Sequence, residues 1–168
     1  MGSYIPGKII VSQDATLTLY PNHTMKLPAD PRVFAAHVLP LIQAGKFERG
    51  LARRIPQGLD QNAKVLEIGS AVGFLAGHTA NIRPDLSFVL QEDVAGLRQM
   101  LQVVFAVSER KFDKRFIILD EELIDDPATK IAQLITKHSP TALLIADAQI
   151  TPLILKQILP DQANIIQL

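Results

Sequence analysis

Lys64-Val65-Leu66-Glu67-Ile68-Gly69-Ser70-Ala71-Val72-Gly73 reads as a short buried strand, Val65 to Ile68, that runs straight into a glycine turn, Gly69 to Gly73. A helix follows from about Phe74 to Ile82. Glycines in such a turn let backbone approach a ligand closely, and the start of the next helix presents amides with no partner inside the helix. Strand, turn and helix N-terminus together form a nucleotide-cradling unit. Glu67 stands two residues before the first glycine, at the carboxyl end of the strand. Ligands of open parallel sheets bind outside those carboxyl ends.

The dinucleotide fingerprint needs G-x-G-x-x-G. The turn here is G-x-x-x-G, with Ala71 where a middle glycine would sit. Ala71 and Glu67 both disfavour a nicotinamide-dinucleotide domain. An E-x-G-x-x-x-G turn after a hydrophobic strand resembles motif I of the S-adenosylmethionine (SAM)-dependent class I methyltransferases. The resemblance implies SAM as cofactor, with Gly69, Ser70, Ala71 and Gly73 along its methionine part and Glu67 organising its ammonium end.

The chain has 168 residues, which suits a single domain. Hydrophobic residues make up 48% and charged residues 20%, enough for a sizeable core and against disorder. The formal net charge is zero, which argues against a nucleic-acid groove, whose affinity rests on neutralising phosphates. Aromatics are 5% with no Trp, so a base-stacking platform is not expected. The absence of Cys removes disulfides and thiolate chemistry and fits a reducing compartment. No apolar run reaches the roughly 18 residues of a membrane span, and the start has no signal-peptide core. The expected location is cytoplasmic. No histidine or carboxylate spacing suggests a metal site.

Residues 1–60 are expected to form an N-terminal hairpin and helical cap, and 61–168 the ligand-binding core. Residues 8–20 look like two short strands, the second alternating cleanly over Thr16–Tyr20 and ended by Pro21-Asn22. Asp30 is placed to cap a helix Arg32–Gln43 with Pro31 at its first position, and Pro40 should kink or split it. A second helix is expected from Phe47 to about Ile55, before a Pro56-Gln57-Gly58 turn. This region would lie over the ligand side of the core. His23 and His37 read as ordinary surface or partly buried histidines, and His78 as structural.

Beyond the opening unit, Leu86–Leu90 forms the second strand, followed by Gln91-Glu92-Asp93. An acid about 20 residues past the glycine turn is placed to take a ribose hydroxyl pair. Glu92 and Asp93 both qualify, and Glu92 is favoured because Asp93 has an alternative use as cap of helix 94–108. Lys114–Leu119 is the third strand, ending in Asp120. Asp126-Pro127 opens a helix to about His138, Thr141–Ala146 is the fourth strand, a helix spans Leu153–Leu159, and Ala163–Leu168 is the fifth strand. The alternation implies an α/β fold with a doubly wound parallel sheet of order 3-2-1-4-5.

Over about residues 47–168 the chain is most similar to the FkbM-type branch of SAM methyltransferases. The resemblance rests on the Glu67–Gly73 turn, on Glu92, and on Asp147-Ala148-Gln149 leading to the Ile154-Leu155 pair. It implies methyl transfer to a hydroxyl of a small molecule or sugar, and an adenine contact for Asp120. Asp147, at the crevice end of strand four, is the candidate catalytic carboxylate, since a hydroxyl acceptor benefits from a base. Two departures stand out. Ile150-Thr151-Pro152 replaces the branch's glycine and later glutamate, and the core has five strands where the class usually has seven. They keep open an alternative, a catalytically inactive methyltransferase-like module for binding or assembly. The fifth strand would also leave an apolar edge at Ile165 and Ile166. Two covers are open, the hairpin 8–20 or a second copy of the chain in a homodimer.

Overall fold

A computed structural model describes residues 3–4, 17–108, 114–120, 122–123, 125–146, 150, 155 and the backbone of 164–167. Two antiparallel strands come first, β1 (Leu19–Asn22) and β2 (Met25–Pro28). Short helices follow, α1 (Leu39–Gln43) and α2 (Arg49–Gly58). The core then alternates β3 (Lys64–Ile68), α3 (Phe74–Ile82), β4 (Ser87–Gln91), α4 (Ala95–Val107), β5 (Phe116–Leu119), α5 (Pro127–His138), β6 (Ala142–Ile145) and β7 (Asn164–Gln167). Its five strands are all parallel, in the spatial order β5-β4-β3-β6-β7. That is the expected 3-2-1-4-5.

Strand alternation sorts the core into two layers. Val65, Phe88, Leu90, Ala142 and Leu144 share one cluster with α3, α4 and the N-terminal elements. Leu66, Ile68, Val89, Leu143 and Ile145 share the other with Ile131 and Leu134 of α5 and with Leu155. The helices change face between β5 and β6. The connections from β3 therefore leave β3 and β6 as neighbours at a switch point, where a crevice opens at their carboxyl ends.

The N-terminal cap differs from the sequence reading. A hairpin not expected from the sequence spans 19–28, and residues 8–16 of the expected hairpin 8–20 lie outside the described residues. Pro21 sits inside β1 opposite Lys26 rather than ending it, as an edge strand allows. A two-residue turn, His23-Thr24, joins the strands, with His23 at φ +54°. The hairpin packs on α3 and α4. Gly77 makes room for it, since a Cβ there would stand 2.9 Å from the Met25 sulfur. The described hairpin is thus on the α3 face and does not cover β7, whose outer edge meets no strand among the described residues.

The helix expected over 32–43 is one short piece, Leu39–Gln43, with Pro40 in its first turn, where a missing N–H costs nothing. Asp30 caps no helix. Its carboxylate accepts from the Arg32 N–H at 2.9 Å and from the Arg32 guanidinium at 2.6 Å, closing a turn. α2 runs through Pro56 to Gly58 instead of stopping at Ile55. Arg83 takes up carbonyls at its end, donating to Pro56 O at 2.8 Å and Leu59 O at 3.0 Å. Asp126 does cap α5, accepting from the Thr129 N–H at 3.2 Å.

Candidate functional site

The glycine turn carries three left-handed residues: Gly69 (φ +75°), Ala71 (φ +48°) and Gly73 (φ +69°). Ala71 adopts the conformation that favours glycine despite its Cβ, at a cost of about 1–2 kcal/mol. What holds it there is Glu92. One carboxylate oxygen accepts the Ala71 N–H at 2.7 Å, and the other accepts the Val94 N–H at 2.9 Å. The Gln91 carbonyl accepts from both Gly69 N–H (3.0 Å) and Ser70 N–H (2.9 Å). The end of β4 therefore fastens the turn that follows β3. At Gly73 a Cβ would lie 2.6 Å from Phe105 Cε2 and 2.8 Å from Leu101 Cγ, so only glycine fits. No side chain caps α3, and its first-turn amides stay available at the crevice.

Glu67 is 3% exposed. Its carboxyl meets no hydrogen-bond donor and no cation among the described residues. Burial first, then the charges of Glu48 and Glu92, push it up to about 8. By alternation with Val65 it points to the α3 face, beneath the N-terminal cap. Ser70 is likewise buried, and its Oγ has no partner among the described residues.

The remaining sequence candidates separate. Glu92 lies at the turn, 7% exposed. Asp93 does not cap α4, whose flanking residue Val94 is served by Glu92 instead. Asp93 Oδ1 accepts from the Gln91 amide at 2.6 Å and from the Leu123 N–H at 2.8 Å, tying down the loop after β5. The Asp120 side chain is 99% exposed, 3.9 Å from Arg98 Nε. Arg98 also donates to the Glu92 and Asp93 backbone carbonyls. Asp147, with Ala148 and Gln149, lies outside the described residues.

Two groups at the site were missed by sequence reasoning. Tyr4 pairs by a backbone bridge with Phe34, and the Ser3 carbonyl accepts the Ala35 N–H at 3.1 Å. The Tyr4 ring lies 5.4 Å from Phe34 and 6.3 Å from Phe47. Burial, then the charges of Glu48, Glu67 and Glu92, raises its phenol well above the usual range. Glu48, the residue before α2, has φ +44°, and burial pushes its carboxyl up to about 7. Nothing in the local sequence marks either residue, because neither is near the turn in the chain.

His78 is structural, as expected. Its Nε2 must donate to the Ala52 carbonyl at 3.1 Å, so Nδ1 accepts from the Thr24 hydroxyl at 2.9 Å. Asn81 donates to the same hydroxyl at 2.9 Å. This chain of bonds fastens the hairpin turn to α2 and α3. Burial and the neighbouring His23 ring, 5.0 Å away, lower the His78 pKa. Among the described residues no group of three or more metal-ligating side chains occurs, and no helix is long and apolar enough to cross a membrane.

No protein-family model matches the sequence, and no curated protein matches it. Solved structures do share the fold. A Staphylococcus aureus protein assigned as a caffeoyl-CoA O-methyltransferase matches with TM-score 0.53 and 20% identity over 69% of this chain and 55% of that one. A SAM-dependent methyltransferase from Thiobacillus denitrificans, solved with S-adenosyl-L-homocysteine, matches with TM-score 0.52 and 12% identity over 70% and 47%. A chain of a fibrillarin/Nop5p complex matches with TM-score 0.50 and 20% identity over 70% and 56%. The chain spans about half the length of these structures. The fold it shares with them is the Rossmann-like fold of class I methyltransferases.

Proposed function

We propose that this chain binds SAM in the crevice at the ends of β3 and β6 and serves methyl transfer to a hydroxyl of a small molecule or sugar. The observation that carries the reading is the Gly69–Gly73 turn, held open by Glu92 beside a buried Glu67 that has no partner among the described residues. A buried carboxylate with no cation is costly, and a cationic ligand removes that cost. Glu67 suits the ammonium end of SAM. The glycine turn lets backbone approach the ligand closely. Glu92 offers further acceptor lone pairs to a ribose hydroxyl pair while keeping its bonds to Ala71 and Val94. Asp93 and Asp120 complete the proposed set, Asp120 at the adenine end.

When bound, SAM supplies a methyl group already activated by its sulfonium. The protein's part is to align the acceptor, exclude water and receive the acceptor's proton. We assign the last role to Asp147 and the likeness to the FkbM-type branch. A homodimer through the β7 edge at Ile165 and Ile166 belongs to the same reading.

Calorimetric titration with SAM and with S-adenosylhomocysteine tests it. Micromolar binding is expected, about 8 kcal/mol, weakened at least about tenfold in Glu92→Ala. Absence of binding to both ligands would defeat the reading.

A further inference from the structure

At the open end of the hairpin, away from its His23-Thr24 turn, β2 finishes at Pro28 opposite Leu19. The chain then folds tightly. The Val33 and Phe34 N–H groups both donate to the Asp30 carbonyl, at 3.0 and 2.9 Å, and both side chains are fully buried. The Asp30 carboxylate accepts the Arg32 N–H at 2.9 Å. Pro28 and Pro31 fix φ at two further positions, so the loop that carries Asp30 and Arg32 is stiff.

The Asp30 side chain is 3% exposed, and one edge of the Arg32 guanidinium closes on it. Nε donates to Oδ1 at 2.9 Å and to Oδ2 at 3.1 Å, and Nη2 donates to Oδ2 at 2.6 Å. These bonds use two of the five N–H groups of a guanidinium. The two on Nη1 and the second on Nη2 meet no acceptor among the described residues, and the Arg32 side chain is 41% exposed. They form a second planar fork, on the edge that Asp30 leaves open, and such a fork takes a carboxylate through two parallel bonds. Binding to a free arginine costs rotamer freedom, whereas Asp30 has already fixed this one. Hydrogen bonding to Arg32 lowers the Asp30 pKa, so the pair stays ionised near neutral pH.

A cavity of about 300 Å³ lies against this pair. Its size suits a small molecule. Leu17, Tyr20, Pro28 and Pro31 give it apolar walls, and Thr18 adds a hydroxyl. No residue of the glycine turn lines it. One negative charge on the free edge of Arg32 stands nearer the guanidinium than the Asp30 carboxylate behind it, and is attracted. A second charge, as on a phosphate, gains less and adds to the repulsion from Asp30.

We propose that this cavity is a binding site for a small monocarboxylate with a flat apolar body, its carboxylate held on the free edge of Arg32. The inference stands apart from the SAM reading.

The test is a titration of the intact chain at pH 7 with benzoate, with its neutral counterpart benzamide and with phenyl phosphate, followed by the backbone amide signals of Thr18, Tyr20, Ala29 and Arg32 in ¹H–¹⁵N spectra. Benzoate is expected to shift these signals saturably, with a dissociation constant of about 1 mM or below. Benzamide and phenyl phosphate are expected to bind at least about tenfold more weakly. Arg32→Lys keeps the charge but loses the fork, and is expected to weaken benzoate at least about tenfold. No saturable shift with benzoate, equal or tighter binding of benzamide or phenyl phosphate, or undiminished affinity in Arg32→Lys overturns the inference. Benzoate shifts confined to Gly69–Gly73 overturn it as well, because they place the probe in the crevice. Should the variant fail to fold, the three ligands on the intact chain decide alone.

Discussion

Replacing Glu67 by glutamine keeps the shape of the side chain and removes its titration. Glu67 is 3% exposed, and its carboxyl is pushed from 4.5 up to about 8, by burial first and by Glu48 and Glu92 next. A carboxyl raised in the folded state contributes stability that is complete below its unfolded value. That contribution is lost as pH rises through the folded value. At pH 7 the unfolded chain ionises the group freely, about 2.5 units above 4.5, while the folded chain retains the proton. At about 1.4 kcal/mol per unit, the folded state loses about 3 kcal/mol of stability between pH 4.5 and 7. Glutamine does not titrate, so Glu67→Gln gains about 3 kcal/mol on the parent over that interval, roughly 6–12 °C in Tm. Thermal melts at pH 4.5, 6, 7 and 8, followed by circular dichroism, measure the difference directly. The same substitution is expected to weaken SAM and S-adenosylhomocysteine together, by roughly tenfold or more, because a charge-assisted contact to the ammonium is lost. A difference in Tm that stays constant from pH 4.5 to 8 would refute the reasoning, because it would mean that Glu67 ionises as readily folded as unfolded.

Gly73→Ala places a Cβ 2.6 Å from Phe105 at a positive φ and is expected to cost about 3 kcal/mol, read from the urea midpoint; an unchanged midpoint would show that α4 yields easily. Asn22→Ala leaves the Ile42 carbonyl and the Phe47 N–H without their partner, at about 2–3 kcal/mol. The urea midpoint measures the loss, and an unchanged midpoint would refute it.

The core was legible because its signals are local. Val65–Ile68 is an apolar run interrupted only by Glu67, and α3 spans Phe74–Ile82 as expected after the glycine turn. The acids after β4 were found by their distance from the turn. Their division of labour was not, since both Glu92 and Asp93 suit a cap or a ligand, and the choice depends on Leu123, thirty positions from Asp93 in the chain. In the cap, propensity misled. Pro21 reads as a strand end and Pro40 as the kink or split of a helix begun at Arg32, yet the first lies in an edge strand and the second in the first turn of Leu39–Gln43. A proline's effect follows from which neighbour its missing N–H faces, and that is a tertiary fact.

By itself, the sequence determined the parallel sheet, its strand order, the glycine turn and the acids Glu67 and Glu92 beside it. Each of these follows from apolar periodicity, glycine placement or short spacing along the chain. Only the tertiary structure decided what covers the crevice. Tyr4 packs over this face because Asn22, Phe34 and Phe47 fold the cap onto α3, through contacts between residues far apart in sequence. The raised carboxyl of Glu67 is decided there as well, because desolvation depends on what is packed over a group and not on its neighbours in the chain.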